Sequence, residues 1–359
     1  LSSRPSGMER LGNSVQNWPK GHLVGLTKEQ QKQLITTCTE YRLKKQINSG
    51  DELLLKHEVN KTTQDLISEI SRSKDLFDLA SVPLLMYMLI HLKAKSISLP
   101  HSRFQVYKAL VSDLVKMQPQ RRRTAAQVIS QSNELSEREL INILSRFAFD
   151  IQMEFPHGNA PIDIAEKLIT NHLSDQSKEF AFNRREALRH TEKFINIGES
   201  EVGILVKKSP EEIGFFHRTL QEFLAAQYIS TEPTQQQELL LSEYIFNGQW
   251  KDVLIGMFSL LQRPSDVEDL IQYIKSLKFD LHKNMSREAF LAEIAFGDNR
   301  CSANTAKIIA NETFRVIEEG KYLPHRERLL NIALAGYSSN KLHDGIVYQL
   351  KDWSPLNRT

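Results

Sequence analysis

One short stretch interrupts an otherwise helical pattern and constrains what can surround it. Gly203-Ile204-Leu205-Val206 and Ile213-Gly214-Phe215-Phe216 are short apolar runs of β type, separated by Ser209-Pro210-Glu211-Glu212, which reads as a hairpin with a longer loop. The period then changes at once. Leu220, Phe223, Leu224 and Tyr228 fall on one face of a helix that follows directly on the second run. Three amphipathic segments precede the hairpin. Ser136-x-x-Glu139 is a capping box opening a helix with Leu140, Ile143, Leu144, Phe147, Ala148 and Ile151 inward. Pro161 starts a second helix, through about Leu173, and a third covers about 184–196. Three helices and a two-stranded wing make a winged helix over residues 134–230.

The flanks read as helix as well, so the fold class is mainly α. Upstream, 27–133 is expected to form a small helical lid bundle. Thr27-x-x-Gln30 is a capping box for a helix to about Lys45, and a second helix covers about 62–73 with Leu66, Ile67 and Ile70 inward. A third starts at Pro83, with Ser81 placed to cap it, and a fourth runs from about Arg103 to Met117 with Phe104, Tyr107, Val111, Leu114 and Val115 as its stripe. The polar stretch from Gln118 to Asn133, with Arg121-Arg122-Arg123, reads as a solvated loop, with a phosphate or acidic-partner contact as the lesser alternative. Downstream, 231–359 gives helices near 235–246, 249–262, 265–277, 286–296, 302–319, 325–336 and 341–351. Paired helices of this size suggest a HEAT- or TPR-like solenoid without a clean repeat. Trp250 and Trp353 read as packing residues.

Composition excludes several classes. A net charge of +2 implies no broad field for nucleic acid or membrane. The two cysteines, Cys38 and Cys301, are far apart, which suits a reducing cytoplasm rather than a disulfide scaffold. Zinc-type cysteine–histidine spacing is absent, as is any apolar run near the ~18 residues of a membrane span.

The chemistry concentrates at His217, in Phe215-Phe216-His217-Arg218-Thr219-Leu220-Gln221-Glu222-Phe223-Leu224-Ala225-Ala226. It stands at a helix mouth, where backbone N–H groups and the helix dipole favour an anion. The bland alternative is a capping histidine with no ligand. The run closely resembles the winged-helix signature of NACHT-type ATPases, the STAND class of signalling switches. Two further segments resemble the same family in the same order. Leu1-Ser2-Ser3-Arg4-Pro5 is similar to its sensor 1 segment, with serine where threonine is commoner, and would make 1–26 the end of a nucleotide-binding core. Ser81-Val82-Pro83-Leu84-Leu85-Met86-Tyr87-Met88-Leu89 is similar to its helical lid. Without those companions, Arg4 is a solvated strand end and Pro83 a plain helix start.

The resemblance covers residues 1–230 and implies roles. Arg4 would lie near the γ-phosphate, where guanidinium offers bidentate donors. Pro83 would pack on adenine, and His217 would touch the β-phosphate of ADP and hold the resting state closed. ATP or ADP with Mg would be the cofactor of the parent protein, and the opened protomers would form a homo-oligomer that activates an effector in defence or stress signalling. The sensed ligand is left open. No G-x-x-x-x-G-K-[ST] loop occurs, so the P-loop core is expected upstream, in a longer chain of which this is a fragment, not itself an enzyme. Two other readings stand beside this one. A helical protein-binding scaffold needs no nucleotide. DNA binding by the winged helix is disfavoured, because Glu192, Glu199 and Glu201 sit with Lys193 before the wing, where a recognition helix carries a basic excess.

Overall fold

The computed structural model describes residues 24–44, 52–71, 74–95, 99–100, 102–122, 136–155, 158–175, 180–196, 198, 203–297, 301–319 and 322–338. Arg4, Trp353 and the helix expected at 341–351 lie outside the described residues. The described residues are mainly helical, with one small antiparallel sheet.

The lid comprises α1 (Lys28–Lys44), α2 (Glu52–Ser71), α3 (Lys74–Ala80), α4 (Pro83–Ala94) and α5 (Arg103–Arg122). It has one helix more than the hydrophobic pattern announces, and α2 begins well before residue 62. The Thr27 capping box forms: the Thr27 N–H donates to Gln30 Oε1 at 2.9 Å, and the Gln30 N–H to Thr27 Oγ1 at 3.3 Å. The expected Ser81 cap does not. Val82 is the N-cap of α4, without a side-chain hydrogen bond, and Ser81 Oγ donates back to the Asp78 carbonyl at 2.6 Å, finishing α3 instead. α4 is the buried centre of the lid, with Leu85, Met86, Met88, Leu89, Ile90 and Leu92 all inside. At its C-terminal end Lys95 and His91 converge on buried Asp113 of α5, and Lys93 pairs with Glu69 of α2.

The winged helix follows as α6 (Glu137–Glu154), β1 (Asn159–Pro161), α7 (Ile162–Ser174), α8 (Arg184–Asn196), β2 (Leu205–Ser209), β3 (Glu212–Phe215) and α9 (Arg218–Thr231). The Ser136–Glu139 capping box closes as read from sequence, and the six residues expected to face inward from α6 are all buried. The wing is wider than a hairpin. β1 adds a third strand, giving the order β1-β3-β2, with Ala160 opposite Ile213 and Asn159 opposite Gly214. Gly214 makes this pairing possible: a Cβ there would stand 2.5 Å from the Gly158 carbonyl oxygen.

The remaining helices are α10 (Thr234–Tyr244), α11 (Lys251–Leu260), α12 (Pro264–Ser276), α13 (Leu281–Phe296), α14 (Ala303–Glu319) and α15 (Leu323–Ser338). Most pack on the next-but-one neighbour, whereas α14 packs chiefly on its sequence neighbours α13 and α15. α9, α11, α13 and α15 form one layer, while α10 packs on α12, which meets α14 through Lys275–Glu312 at 2.9 Å. This is the two-layer stacking of a solenoid. Trp250 packs as expected, buried and stacked on Tyr244 with ring centres 4.2 Å apart.

One hydrophobic core runs from the lid through the winged helix into α11–α13. α9 is its hub, packed against α6, α5 and α11. α9 and α11 lie side by side in the same direction, and Gly256 sets how close they come. A Cβ at that position would stand 2.9 Å from the Ala226 Cβ and 2.7 Å from Cε1 of Phe104. A second, smaller core joins the outer face of α13 to α14 and α15 through Ala289, Ala292, Phe296, Ala310, Phe314 and Leu329.

Candidate functional site

His217 is where the wing becomes the hub helix. β3 ends at Phe215 and α9 starts at Arg218, so His217 has extended backbone (φ −138°, ψ 133°) and acts as N-cap. Its Nδ1 accepts from the Thr219 N–H at 3.2 Å, and its carbonyl takes the Leu220 and Gln221 N–H groups at 3.2 and 3.4 Å. Two consequences follow. The ring itself occupies one of the first-turn donors that an anion was expected to use. With Nδ1 accepting, the proton of the neutral imidazole resides on Nε2, which makes that atom the ring's donor. The side chain is half-buried beside Phe216.

Sequence reasoning missed the charged cluster next to this cap. Arg218 Nε bonds Glu222 Oε1 at 2.8 Å one turn along α9, and Arg103 Nη2 bonds Asp252 Oδ1 at 2.8 Å, linking the first turns of α5 and α11. Burial pushes the Glu222 carboxyl upward, with Arg218 and Arg103 opposing and Asp252 adding to the rise. Lid, winged helix and solenoid thus each contribute one element to a single junction. The i, i+4 spacing of Arg218 and Glu222 was visible in the sequence, but the cross-helix partners were not.

Pro83 occupies the first turn of α4, the one exposed residue before a run of buried ones. The segment before α1 lies against this turn: the Leu26 N–H donates to the Ser81 carbonyl at 2.7 Å. An exposed proline at the first helical position is the ordinary start of a helix, where its fixed φ fits and its missing N–H is not needed. Tyr87, one turn further, is also exposed. Pro83 and His217 both stand beside one continuous core rather than within it, next to Val82, Leu84 and Phe216, which pack against it.

A second polar network lies within the winged helix. Arg146 of α6 bonds Asp150 Oδ1 at 2.8 Å, and its Nη1 donates to Tyr228 Oη of α9 at 2.7 Å. Burial raises the Asp150 carboxyl to about 6 against the pull of Arg146, and raises the Tyr228 phenol to about 12. Further along, Gln221 Nε2 donates to Gln152 Oε1 at 3.1 Å, and Gln152 Nε2 to the Gln249 carbonyl at 2.8 Å, tying winged helix to solenoid.

Among the described residues no cluster of histidine, cysteine, aspartate and glutamate has the grouping of a metal site. No described helix is long and apolar enough to cross a membrane. Burial raises both thiols, Cys301 to about 11, so neither has thiolate character. No protein-family model matches this chain, and no curated protein matches it in sequence.

Proposed function

We propose that residues 1–230 are the lid and winged helix of a NACHT-type nucleotide switch, and that 231–359 begin its helical sensor region. The observation that carries this reading is His217 at the turn from β3 into α9, with Nδ1 accepting from the Thr219 N–H and the ring proton therefore on Nε2. In this reading Nε2–H holds the β-phosphate of ADP, Pro83 lies against adenine, and Arg4 reaches the γ-phosphate. The P-loop core and its Mg come from a segment this sequence does not contain. Exchange of ADP for ATP frees the lid and winged helix. The opened protomers then form a homo-oligomer in the cytoplasm, in defence or stress signalling, with no membrane or nucleic acid required.

The hub position of α9 supports such a switch. A helix packed on lid, winged helix and α11 together transmits to all of them a bias applied at its N-terminus. A charge-assisted bond from Nε2 is worth ~1.5–3 kcal/mol, so losing it shifts a closed–open equilibrium by roughly ten- to a hundredfold.

The test uses the protein that carries the P-loop core together with these residues. His217→Ala should release ADP faster in stopped flow and give oligomers without a trigger. His217→Asn, which keeps a good N-cap, should do the same with an unchanged melting temperature. If both variants match the parent in off-rate and oligomer size, His217 is a capping residue alone. The two-layer solenoid then favours the other reading, a helical scaffold that binds proteins without nucleotide.

A further inference from the structure

Topology and charge together single out α8. The order α6, β1, α7, α8, β2, β3, with β1 paired to β3, is that of a complete winged helix. In it α8 takes the place of the helix that helix-turn-helix proteins lay in the major groove of DNA. Fold alone assigns no function, so the residues of α8 decide. Neither Pro83 nor His217 belongs to α8, so what its outer face does is independent of the nucleotide reading.

α8 packs chiefly on α7, and its buried residues are Ala187, Thr191, Phe194 and Ile195. The Thr170 and Thr191 hydroxyls meet across the pair at 2.9 Å. At about 3.6 residues per turn, the opposite side of the helix carries Arg185, Arg189, Glu192, Lys193 and Asn196, all exposed. Arg185, Arg189 and Lys193 follow one another at i, i+4 spacing and form a basic stripe about 12 Å long.

The fold does not account for this stripe. Like charges one turn apart destabilise a helix. Basic residues in the first turn also oppose the helix dipole, and Arg184 and Arg185 both stand there. Neither the Arg185 nor the Arg189 side chain has a hydrogen bond or ion pair with a described residue. On α8, Arg184, Arg185, Arg189 and Lys193 outnumber Glu186 and Glu192. Glu186 is engaged in the capping box, accepting from the Asn183 N–H at 3.2 Å while its own N–H donates to Asn183 Oδ1 at 3.0 Å. The surplus is felt by a neighbour: burial lowers the His190 imidazole, and Lys193 and Arg189 lower it further, against Glu139 and Glu186.

The acids that disfavour DNA binding in the sequence lie mostly past this helix. α8 ends at Asn196, so Glu192 alone of the three belongs to it, and Glu199 and Glu201 lie outside the described residues. The wing starts beside the same end: the Ile204 N–H donates to the Gly198 carbonyl at 3.0 Å, and Leu205 opens β2. β2 then carries Lys207, exposed, and Lys208. We propose that α8 and the β2–β3 wing form a docking face for the phosphate backbone of duplex DNA, with Arg185, Arg189 and Lys193 as its contacts. The major groove admits an α-helix, and cations repeated along that helix meet a partner whose charge repeats along its axis. An acidic protein segment lacks that fixed repeat, and the test separates the two.

Backbone contacts carry no sequence information, so any duplex serves as probe. The one used is a fluorescein-labelled DNA duplex about two helical turns long, roughly 20 bp. Fluorescence anisotropy follows its binding to the whole 359-residue chain over a salt series. The duplex should bind, and log affinity should fall with log salt at a slope of about −2 to −3, as for two or three neutralised phosphates. Arg189→Ala should weaken binding about tenfold, equally on a second duplex of unrelated sequence, and make the slope shallower by about one. Arg189→Lys keeps the charge and should stay within about threefold of the parent, which separates a lost contact from a damaged fold. Lys56→Ala removes an exposed charge from α2 and should bind as the parent does. An RNA duplex of the same length should bind more weakly, because side chains do not reach into its deep, narrow major groove. The proposal is overturned if the DNA duplex does not bind at the lowest salt, if Arg189→Ala matches the parent in affinity or slope, if Arg189→Lys loses binding as Arg189→Ala does, or if Lys56→Ala weakens binding as much. RNA binding as tight as DNA binding, or poly-L-glutamate binding more tightly than either, also overturns it; the latter assigns the face to an acidic protein segment.

Discussion

Substituting Gly256 tests whether α5, α9 and α11 are packed as tightly as their geometry implies. In an exposed helix, glycine to alanine is a gain of about 1 kcal/mol from backbone entropy. At position 256 the added Cβ meets Cε1 of Phe104 at 2.7 Å on one side and the Ala226 Cβ at 2.9 Å on the other. Carbon atoms in favourable contact sit about 3.5–4.0 Å apart, so both neighbours must yield by more than about half an ångström. The Ala226 side cannot yield by rotating a side chain, since its Cβ is fixed to the backbone of the hub helix. Overpacking of this kind costs ~1–3 kcal/mol, so Gly256→Ala should be net destabilising by up to ~2 kcal/mol despite its better helix propensity. Phe104→Leu removes the ring edge. In the double variant, the penalty of the new methyl should fall, giving a favourable coupling of ~1 kcal/mol in a double-mutant cycle. Urea midpoints and melting temperatures for the four proteins measure this. A higher midpoint for Gly256→Ala, or additivity within ~0.5 kcal/mol, would refute the close-packed junction.

Three further outcomes are expected. The Asp150 carboxyl is raised from 3.8 to about 6 in the fold, so the folded state binds its proton more tightly than the unfolded chain. Its contribution to stability is therefore full below about pH 4 and is lost as pH rises toward 7. Relative to Asp150→Asn, the parent should lose roughly 2 kcal/mol across that window, and parallel pH curves in chemical denaturation would contradict this. Pro83→Gln should leave the melting temperature unchanged, because the first-turn N–H it restores needs no intrahelical partner, yet weaken nucleotide binding in the protein carrying the P-loop core. Unchanged affinity removes Pro83 from the site. Residues 1–359 alone should bind ADP very weakly in calorimetry, because they hold no phosphate cradle; micromolar binding would contradict the assignment of the cradle to another segment.

What the sequence announced, it announced through period and caps. The α6 stripe from Leu140 to Ile151 is buried throughout, and both capping boxes close with the expected partners. What it concealed was tertiary. β1 is only Asn159–Pro161, too short to show alternation, and it exists because β3 offers it an edge and Gly214 lets it approach. The first turns of α2 expose Leu53 and Leu54, so no inward stripe marks them before Val59. Ser81 has the composition of a cap, yet its hydroxyl is nearer the carbonyl that closes the preceding helix. At the candidate site, the helix mouth and the histidine were legible. The junction of Arg103, Glu222 and Asp252 was not, since it joins helices distant in sequence.

α13 is a party wall. Phe290, Leu291 and Ile294 belong to the main core, whereas Ala289, Ala292 and Phe296 belong to the smaller one shared with α14 and α15. Because that outer face is mostly alanine, α14 and α15 lie close against it, yet the wall is not sealed: Ile309 of α14 reaches the main core, and Lys275–Glu312 ties α14 to α12. Loosening α14 would therefore be felt on both sides of α13.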